Sequence, residues 1–211
     1  MLGDTSVLLN IAVAGYVLAG DASAAVPVAR EALTLARQVG ARALVARSLL
    51  VVGAAVAGTD PDQARACLSE SRELSTALGY QSTTDLIWAT AIAFLIGDQA
   101  ATLEFGRQVI RALQRGGDRR MMGLSLHWIA GTLAATRPEA AAVIQGAAET
   151  YVVKMPMSDE LISSTVTAAL GEERTPELRA RGADMDWDQA LAYTLTQTTK
   201  ALSELKSSTP L

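Results

Sequence analysis

The sequence has very little of several residue types. It contains one cysteine, Cys67, and one histidine, His127, and aromatic residues make up 4% of the chain. A single cysteine cannot form an internal disulfide, so nothing indicates an oxidising compartment. One cysteine and one histidine also cannot form a Cys/His zinc site. Because aromatic and β-branched residues at alternating spacing are scarce, we expect no substantial β-sheet.

Charge is also scarce, since charged residues make up 19% of the chain, against ~25% in typical soluble domains. The net charge of −4 and the pI of about 5.1 argue against general nucleic-acid binding. With a mean hydropathy of +0.23, such a surface has apolar area for another domain or a second subunit, so a homodimer is plausible. The longest uncharged runs, 5–20 and 121–136, are shorter than the ~20 residues of a membrane-spanning helix.

What the sequence does have is abundant alanine, the best helix former, and an internal period. Asp21, Asp60 and Asp98 are 39 and 38 residues apart, and each follows a hydrophobic run. A second series with the same spacings consists of Gly40, Gly79 and Gly117. Two turn signals that recur in phase predict an array of helix pairs.

Each pair has its own helix signals. The first helix is almost wholly apolar, with Val7, Leu8, Ile11, Ala14, Tyr16 and Leu18. Gly20 ends this helix and Asp21 caps the next. That second helix has an apolar stripe at helical spacing, Ala25, Val28, Ala32, Leu35 and Val39. Pro27 is compatible with this helix only if it lies in the first turn, where no intrahelical N–H is needed.

The later pairs repeat these signals. Thr59 or Asp60 is expected to cap a helix that begins at Pro61. In the fourth pair the period places the cap at Arg137, before Pro138, so the turn is kept and the capping side chain is lost.

The stretch "LAGDASAAV", residues 18–26, allows a second interpretation. An uncharged run followed by Ala-Ser-Ala is also typical of a signal peptide and its cleavage site. However, a signal peptide favours an early Lys or Arg, and the first basic residue here is Arg30. The same turn recurs at Asp60 and Asp98, far inside the chain, so we expect an inner turn of the array and a cytoplasmic protein.

The period predicts the domain organisation. Residues 1–153 form four helix pairs, and 154–211 form C-terminal capping helices and a frayed tail, all in one continuous domain. In the last part we expect a helix over 161–170 capped by Ser158 or Asp159, a short helix, and an amphipathic helix over 186–205. A solenoid needs such an atypical terminal element to cover its last apolar face. The predicted fold is an all-α superhelix.

The stretch "GYVLAGDASAAVPVAREALTLARQVG", residues 15–40, resembles a tetratricopeptide unit. The small and aromatic residues of that family's first helix fall on Gly15 and Tyr16, and its small packing residues fall on Ala25 and Ala32. Ala64 and Ala141 occupy the position of Ala25 in other pairs, whereas Ser71 and Thr102 depart from alanine but remain small. The period of 38–39 is longer than the usual ~34, so the repeats are tetratricopeptide-like.

Two stretches carry a further resemblance, "IQGAAETYVV" (144–153) and "ALGEERTPELRARGADMDWDQALAYTL" (169–195). They resemble the end of bacterial LuxR-type or AfsR-type regulators and of adenylate-cyclase-associated ATPases. The resemblance implies that the chain corresponds to the helical-repeat arm of such a regulator, as a fragment or a stand-alone relative. The sequence contains no G-x-x-x-x-G-K-[ST] phosphate loop and no LuxR-type helix-turn-helix signature. The ATPase and DNA-binding activities therefore do not carry over.

No catalytic, cofactor or metal site is predicted. His127 lacks a local nucleophile or carboxylate, Cys67 falls at a core position, and Glu172, Glu173, Asp184, Asp186 and Asp188 are expected in turns and caps. Trp88, Trp128 and Trp187 are expected to pack. The polar feature most suited to a partner is a run of arginines: Arg107, Arg111, Arg115, Arg119 and Arg120. These arginines form either a solvated face, with the acidic C-terminal segment as a candidate partner, or a contact for an acidic domain or phosphates.

The sequence thus predicts a non-catalytic interaction or regulatory module without cofactor. The first helices of the pairs would line a concave surface that receives a peptide, an effector, or an ATPase, cyclase or DNA-binding module. The alternative is a sensing domain that binds a small inducer in an apolar pocket between helices.

Overall fold

The structure, a computed structural model, describes residues 2–18, 20–116, 122–150 and 156–208. Within these ranges it has eleven α-helices and no strand, which confirms the all-α prediction. The chain divides into two compact units, Met1–Gly97 and Asp98–Leu211. The division falls inside the third helix pair of the sequence. The continuous domain over 1–153 with a C-terminal cap stays a prediction.

The first unit contains five helices. They are α1 Leu2–Leu18, α2 Ala22–Val39, α3 Arg42–Val56, α4 Pro61–Leu78 and α5 Thr83–Leu95. Helix α1 packs on α2 and α3, α3 packs also on α2 and α4, and α5 packs on α3 and α4. Every residue from Ser48 to Val56 is therefore buried.

The second unit contains six helices. They are α6 Gln99–Gly116, α7 Met122–Leu133, α8 Pro138–Glu149, α9 Pro156–Leu170, α10 Arg174–Ala183 and α11 Trp187–Ser208. Helix α7 packs on α6 and α8, α10 packs on α8, and α11 packs mainly on α6. The helix expected over 161–170 begins earlier, at Pro156, so Ser158 and Asp159 lie inside it rather than before it.

The predicted caps account for where the helices begin and end. One carboxylate oxygen of Asp21 accepts from the backbone N–H of Ala24 at 3.1 Å, and Asp60 and Asp98 cap α4 and α6 in the same way. Helices α2 and α4 end at Gly40 and Gly79, which have φ angles of 72° and 63°. This left-handed conformation favours glycine, because a Cβ would be strained there. Arg137 holds the cap position of α8 without a side-chain cap, as the period predicts.

Two predictions about α2 need correction. Pro27 lies in the second turn of the helix and not in the first, so one intrahelical hydrogen bond is missing there. The buried stripe consists of Ala25, Ala29, Ala32, Leu33 and Ala36, whereas Val39 is exposed. Residues 37–39 at the C-terminal end of α2 are all exposed, so the predicted stripe is covered by neighbouring helices only further back in the helix.

Helix α1 turns two polar side chains inward. Ser6, Asn10 and Val13 are buried, while large apolar side chains lie outside: Leu2, Val7, Leu8, Ile11 and Tyr16. The Ser6 hydroxyl donates to the carbonyl of Ala32 at 2.8 Å, and the Asn10 amide donates to the Ser48 hydroxyl at 3.0 Å. These hydrogen bonds to α2 and α3 fix which side of α1 faces inward.

Candidate partner-contact surface

The predicted arginine run lies partly on α6. This helix buries Leu103, Val109, Ile110 and Leu113, and it presents Arg107, Arg111 and Arg115 on one face, since they are four residues apart. Arg119 and Arg120 lie outside the described residues. The structure therefore places three of the five predicted residues together.

Arg107 is neutralised within its own helix. Its guanidinium donates to both carboxylate oxygens of Glu104, at 2.8 and 2.9 Å. The hydrogen bond from Arg107 lowers the pKa of Glu104, although partial burial of the carboxyl acts in the opposite direction. Since the Arg107 side chain is only 27% exposed, it is less accessible to a partner than an exposed arginine would be.

Arg111 and Arg115 differ from Arg107. Both side chains are exposed, and neither has a hydrogen bond or ion pair to another residue that the structure describes. They lie one helical turn apart, so the two guanidinium groups are available to the same ligand. This arrangement fits carboxylates or phosphates, which accept two parallel N–H bonds from arginine.

The acidic C-terminal segment has arginine partners outside the run. Arg137, at the start of α8, donates to the carboxylate of Glu204 and to the side-chain amide of Gln197 on α11. Arg174 pairs with Glu177 in α10 and lies 3.6 Å from Glu139 of α8. The bonds of Arg137 to α11 and the contact of Arg174 with Glu139 join these two helices to α8.

An open groove lies between α10 and α11, with a volume of about 520 Å³. Arg181, Asp184, Met185 and Tyr193 line it, together with Gln189. The Arg181 guanidinium lies 5.8 Å from the centre of the Tyr193 ring, a distance at which a cation is attracted to the ring face. Burial raises the pKa of Tyr193, while the charge of Arg181 acts to lower it. The groove combines a cation, a carboxylate and an aromatic surface.

The other candidate residues named in the sequence lie in the core or in helix caps. Cys67 is buried in α4, and burial and the charge of Glu70 raise the pKa of its thiol. His127 and Trp128 are buried in α7. The side chain of Asp186 accepts from the backbone of Gln189, whose side chain accepts from the backbone of Asp186 in return. In the parts of the chain that the structure describes, no three His, Cys, Asp or Glu side chains are grouped to hold a metal ion.

Sequence reasoning missed two features. One is the apolar outer face of α1, which could not be assigned because residues on every side of that helix are apolar. The other is the ion pair between Arg47 on α3 and Asp85 on α5, at 3.0 Å, with Ser82 as a second acceptor for Arg47. Asp85 and Ser82 also form a reciprocal cap of α5. The Ser-x-x-Asp spacing is the signal that predicts this cap.

No helix among the described residues has the length and apolar character needed to cross a membrane. Comparison of the chain with protein-family models, with curated proteins and with solved structures finds no match.

Proposed function

We propose that this chain is a tetratricopeptide-like helical-repeat module that binds an acidic protein partner through α6 and performs no catalysis itself. The finer form of the proposal is an α-α superhelix that serves as the cytoplasmic arm of a bacterial ATPase-containing regulator of the LuxR or AfsR type. The observation that carries it is the pair of exposed arginines, Arg111 and Arg115.

The repeat architecture of the proposal is supported within the first unit. Arg30 of α2 donates to Gln63 of α4, and Arg37 donates to Glu70, so each bond joins residues 33 positions apart. The caps of Asp21 and Asp60 are 39 residues apart and have the same geometry. Solenoids use neighbour contacts of this kind to build extended binding surfaces.

The chemistry of the partner follows from charge. Arg37, Arg47 and Arg65 each have an acidic partner within 3.2 Å, whereas Arg111 and Arg115 share one exposed face without such a partner among the described residues. Burying two arginines in an interface requires carboxylates or phosphates that replace their water. An acidic domain surface supplies these groups. The net charge of −4 for the whole chain does not favour nucleic acid as the source of the phosphates.

The test is a binding measurement with purified ATPase, cyclase and DNA-binding modules of the cognate regulator. We expect one of them to bind with an affinity that falls as salt is raised. The double variant Arg111→Glu/Arg115→Glu should weaken this binding at least about tenfold, because like charges then oppose each other across the interface. No binding to any module by a folded chain would count heavily against the proposal.

A matched control is available on α4. The variant Arg65→Glu/Arg72→Glu makes the same change in charge at two exposed positions of the first unit. We expect it to leave the affinity within about twofold of the original value, apart from the general effect of net charge. An equal loss of binding in both variants would show that the contact is not specific to α6.

The groove between α10 and α11 supports a second candidate function, the sensing of a small effector. Its volume of about 520 Å³ lies within the range of ligand pockets, and Arg181 and Asp184 offer charges of both signs. An effector would raise the melting temperature of the chain, and Tyr193→Ala would remove this shift. A flat response across a metabolite library would argue against sensing.

A further inference from the structure

A small cavity lies in the first unit, where the first turns of α3 and α5 meet the last turn of α4. Its volume is about 150 Å³, and its walls include Leu44, Arg47, Ser75, Leu78, Tyr80 and Asp85. A cavity of this size holds a group as large as benzene, and it is only about half as large as the smallest ordinary ligand pocket. It therefore fits one apolar side chain rather than a whole metabolite.

We propose that this cavity binds a peptide segment of a partner protein. One leucine-sized side chain of the segment enters the cavity, and the main chain beside it bonds to Arg47 and Ser75. The contact lies wholly in the first unit, is separate from the α6 surface and goes beyond the proposed function. Three features favour a peptide: the apolar rim, the charge of the ion pair and an unused hydroxyl.

The rim of the cavity is apolar and faces water. Leu78 is 39% and Tyr80 is 64% exposed. Outside α1, only four large apolar side chains of the described residues are exposed, and these are two of them. A free molecule that just fills the cavity would leave this rim in water. A peptide that continues on both sides of its anchor residue covers the rim as well and excludes water from the anchor.

The ion pair at the cavity favours a neutral acceptor. The Arg47 side chain is 40% exposed, and it donates to Asp85 at 3.0 Å and to the Ser82 hydroxyl at 3.1 Å. A guanidinium has five N–H donors, so most of its donors remain unused. Because Asp85 already compensates the charge of Arg47, a second carboxylate would be repelled by Asp85. The main-chain carbonyl of a peptide accepts such a hydrogen bond without adding a charge.

Ser75 supplies a second polar group. It is 7% exposed and lines the cavity, and its hydroxyl has no hydrogen bond to another residue that the structure describes. A buried hydroxyl without a partner is unfavourable, and this one can accept from an N–H or donate to a carbonyl. The cavity thus places unused donors and an unused acceptor beside apolar space. A peptide residue has the matching set, since its main-chain N–H and carbonyl flank an apolar side chain.

Titration of the full chain with N-acetyl-L-leucinamide, followed by NMR of the methyl groups, tests the proposal. We expect the signals of Leu44 and Leu78 to shift, with a dissociation constant on the order of a few millimolar for a ligand of this size. N-acetyl-L-alaninamide should bind at least about tenfold more weakly, because it leaves the apolar space unfilled. Isocaproate has the same branched hydrocarbon but a carboxylate in place of the amides, and it should also bind at least about tenfold more weakly.

Variants of the cavity locate the binding. Ala43 is exposed and lines the cavity, so Ala43→Leu fills the space without a change in the core and should weaken binding of N-acetyl-L-leucinamide at least about tenfold. The matched control is Ala66→Leu, at an exposed position of α4 away from the cavity walls, and it should leave the affinity within about twofold. Arg47→Lys keeps the charge but loses the planar donors, and it should weaken binding about threefold.

Helical content and melting temperature would establish that each variant is folded. Unchanged signals of Leu44 and Leu78 at tens of millimolar N-acetyl-L-leucinamide would overturn the proposal, and so would equal binding to the Ala43→Leu variant. Binding of isocaproate as tight as that of N-acetyl-L-leucinamide would assign the cavity to a small free acid instead of a peptide.

Discussion

Gly146 on α8 and Gly182 on α10 lie where these two helices cross, and each faces the backbone of the other helix. A Cβ on Gly146 would lie 1.9 Å from the carbonyl oxygen of Arg179, and a Cβ on Gly182 would lie 1.9 Å from that of Val143. Backbone atoms cannot rotate away as a flexible side chain can. The contact between α8 and α10 therefore depends on the absence of both side chains.

We expect Gly146→Ala or Gly182→Ala to destabilise the chain by about 3 kcal/mol, at the upper end for overpacked cores, although alanine is the better helix former. Urea denaturation followed by circular dichroism measures this. The control is Gly116→Ala at the end of α6, where no atom of another described element lies within 4 Å of the added Cβ, and it should change stability by less than about 0.5 kcal/mol. Equal stability of all three variants would show that the crossing is not tight.

The bridge between Arg137 and Glu204 should hold α11 on α8. Because the Arg137 side chain is 22% exposed and that of Glu204 is 63% exposed, water screens the pair, and we expect a coupling energy of about 0.5–1 kcal/mol. A double-mutant cycle with Arg137→Ala and Glu204→Ala isolates this energy. A coupling energy of zero would show that the ion pair does not stabilise the protein.

Asp21 should make stability depend on acid pH. The hydrogen bond from the backbone N–H of Ala24, followed by that from the Ser23 hydroxyl, lowers the pKa of Asp21 from 3.8. A lowered folded-state pKa contributes stability that is present above the unfolded value and is lost as pH falls through the folded value. Asn caps helices about as well but does not titrate. As the pH falls from 5 towards 2.5, the urea midpoint of the parent chain should therefore decrease more than that of Asp21→Asn, and parallel changes in the two chains would argue against a role for Asp21.

The thiol of Cys67 should react slowly in the folded chain. Burial disfavours the thiolate and raises its pKa, and the thiolate is the reactive form. We expect a thiol reagent such as dithionitrobenzoate at pH 8 to label Cys67 at least about a hundredfold more slowly than in guanidinium chloride, because labelling requires local opening. Equally fast labelling in both conditions would place the thiol at the surface.

The beginnings and ends of several helices could be predicted because they depend on neighbouring residues. Asp60 caps a helix because its carboxylate accepts from the backbone N–H three residues later. Gly79 ends a helix because glycine adopts the left-handed conformation at low cost. Even the missing cap at Arg137 follows from the period. These are local interactions, and the local sequence contains all their atoms.

The faces of the helices could be predicted less well. In α2 the sequence predicts a stripe that includes Val39, yet this residue lies at an end of the helix that no neighbour covers, and the point at which neighbouring helices cross is not set by local sequence. The candidate surface was predicted in part. The spacing places Arg107, Arg111 and Arg115 on one face, but the sequence could not show that Arg107 is tied to Glu104 while the other two are exposed.

The sequence by itself determined the helical class of this protein, its period and the caps at Asp21, Asp60 and Asp98, since propensity and capping act within one or two turns of the chain. The tertiary structure alone decided that α1 turns Ser6 and Asn10 inward and Leu8 and Ile11 outward. In a helix that is apolar all round, hydrophobicity does not distinguish the faces. The side is then selected by hydrogen bonds to Ala32 and Ser48, residues that lie more than 25 positions away and approach α1 only when the helices pack.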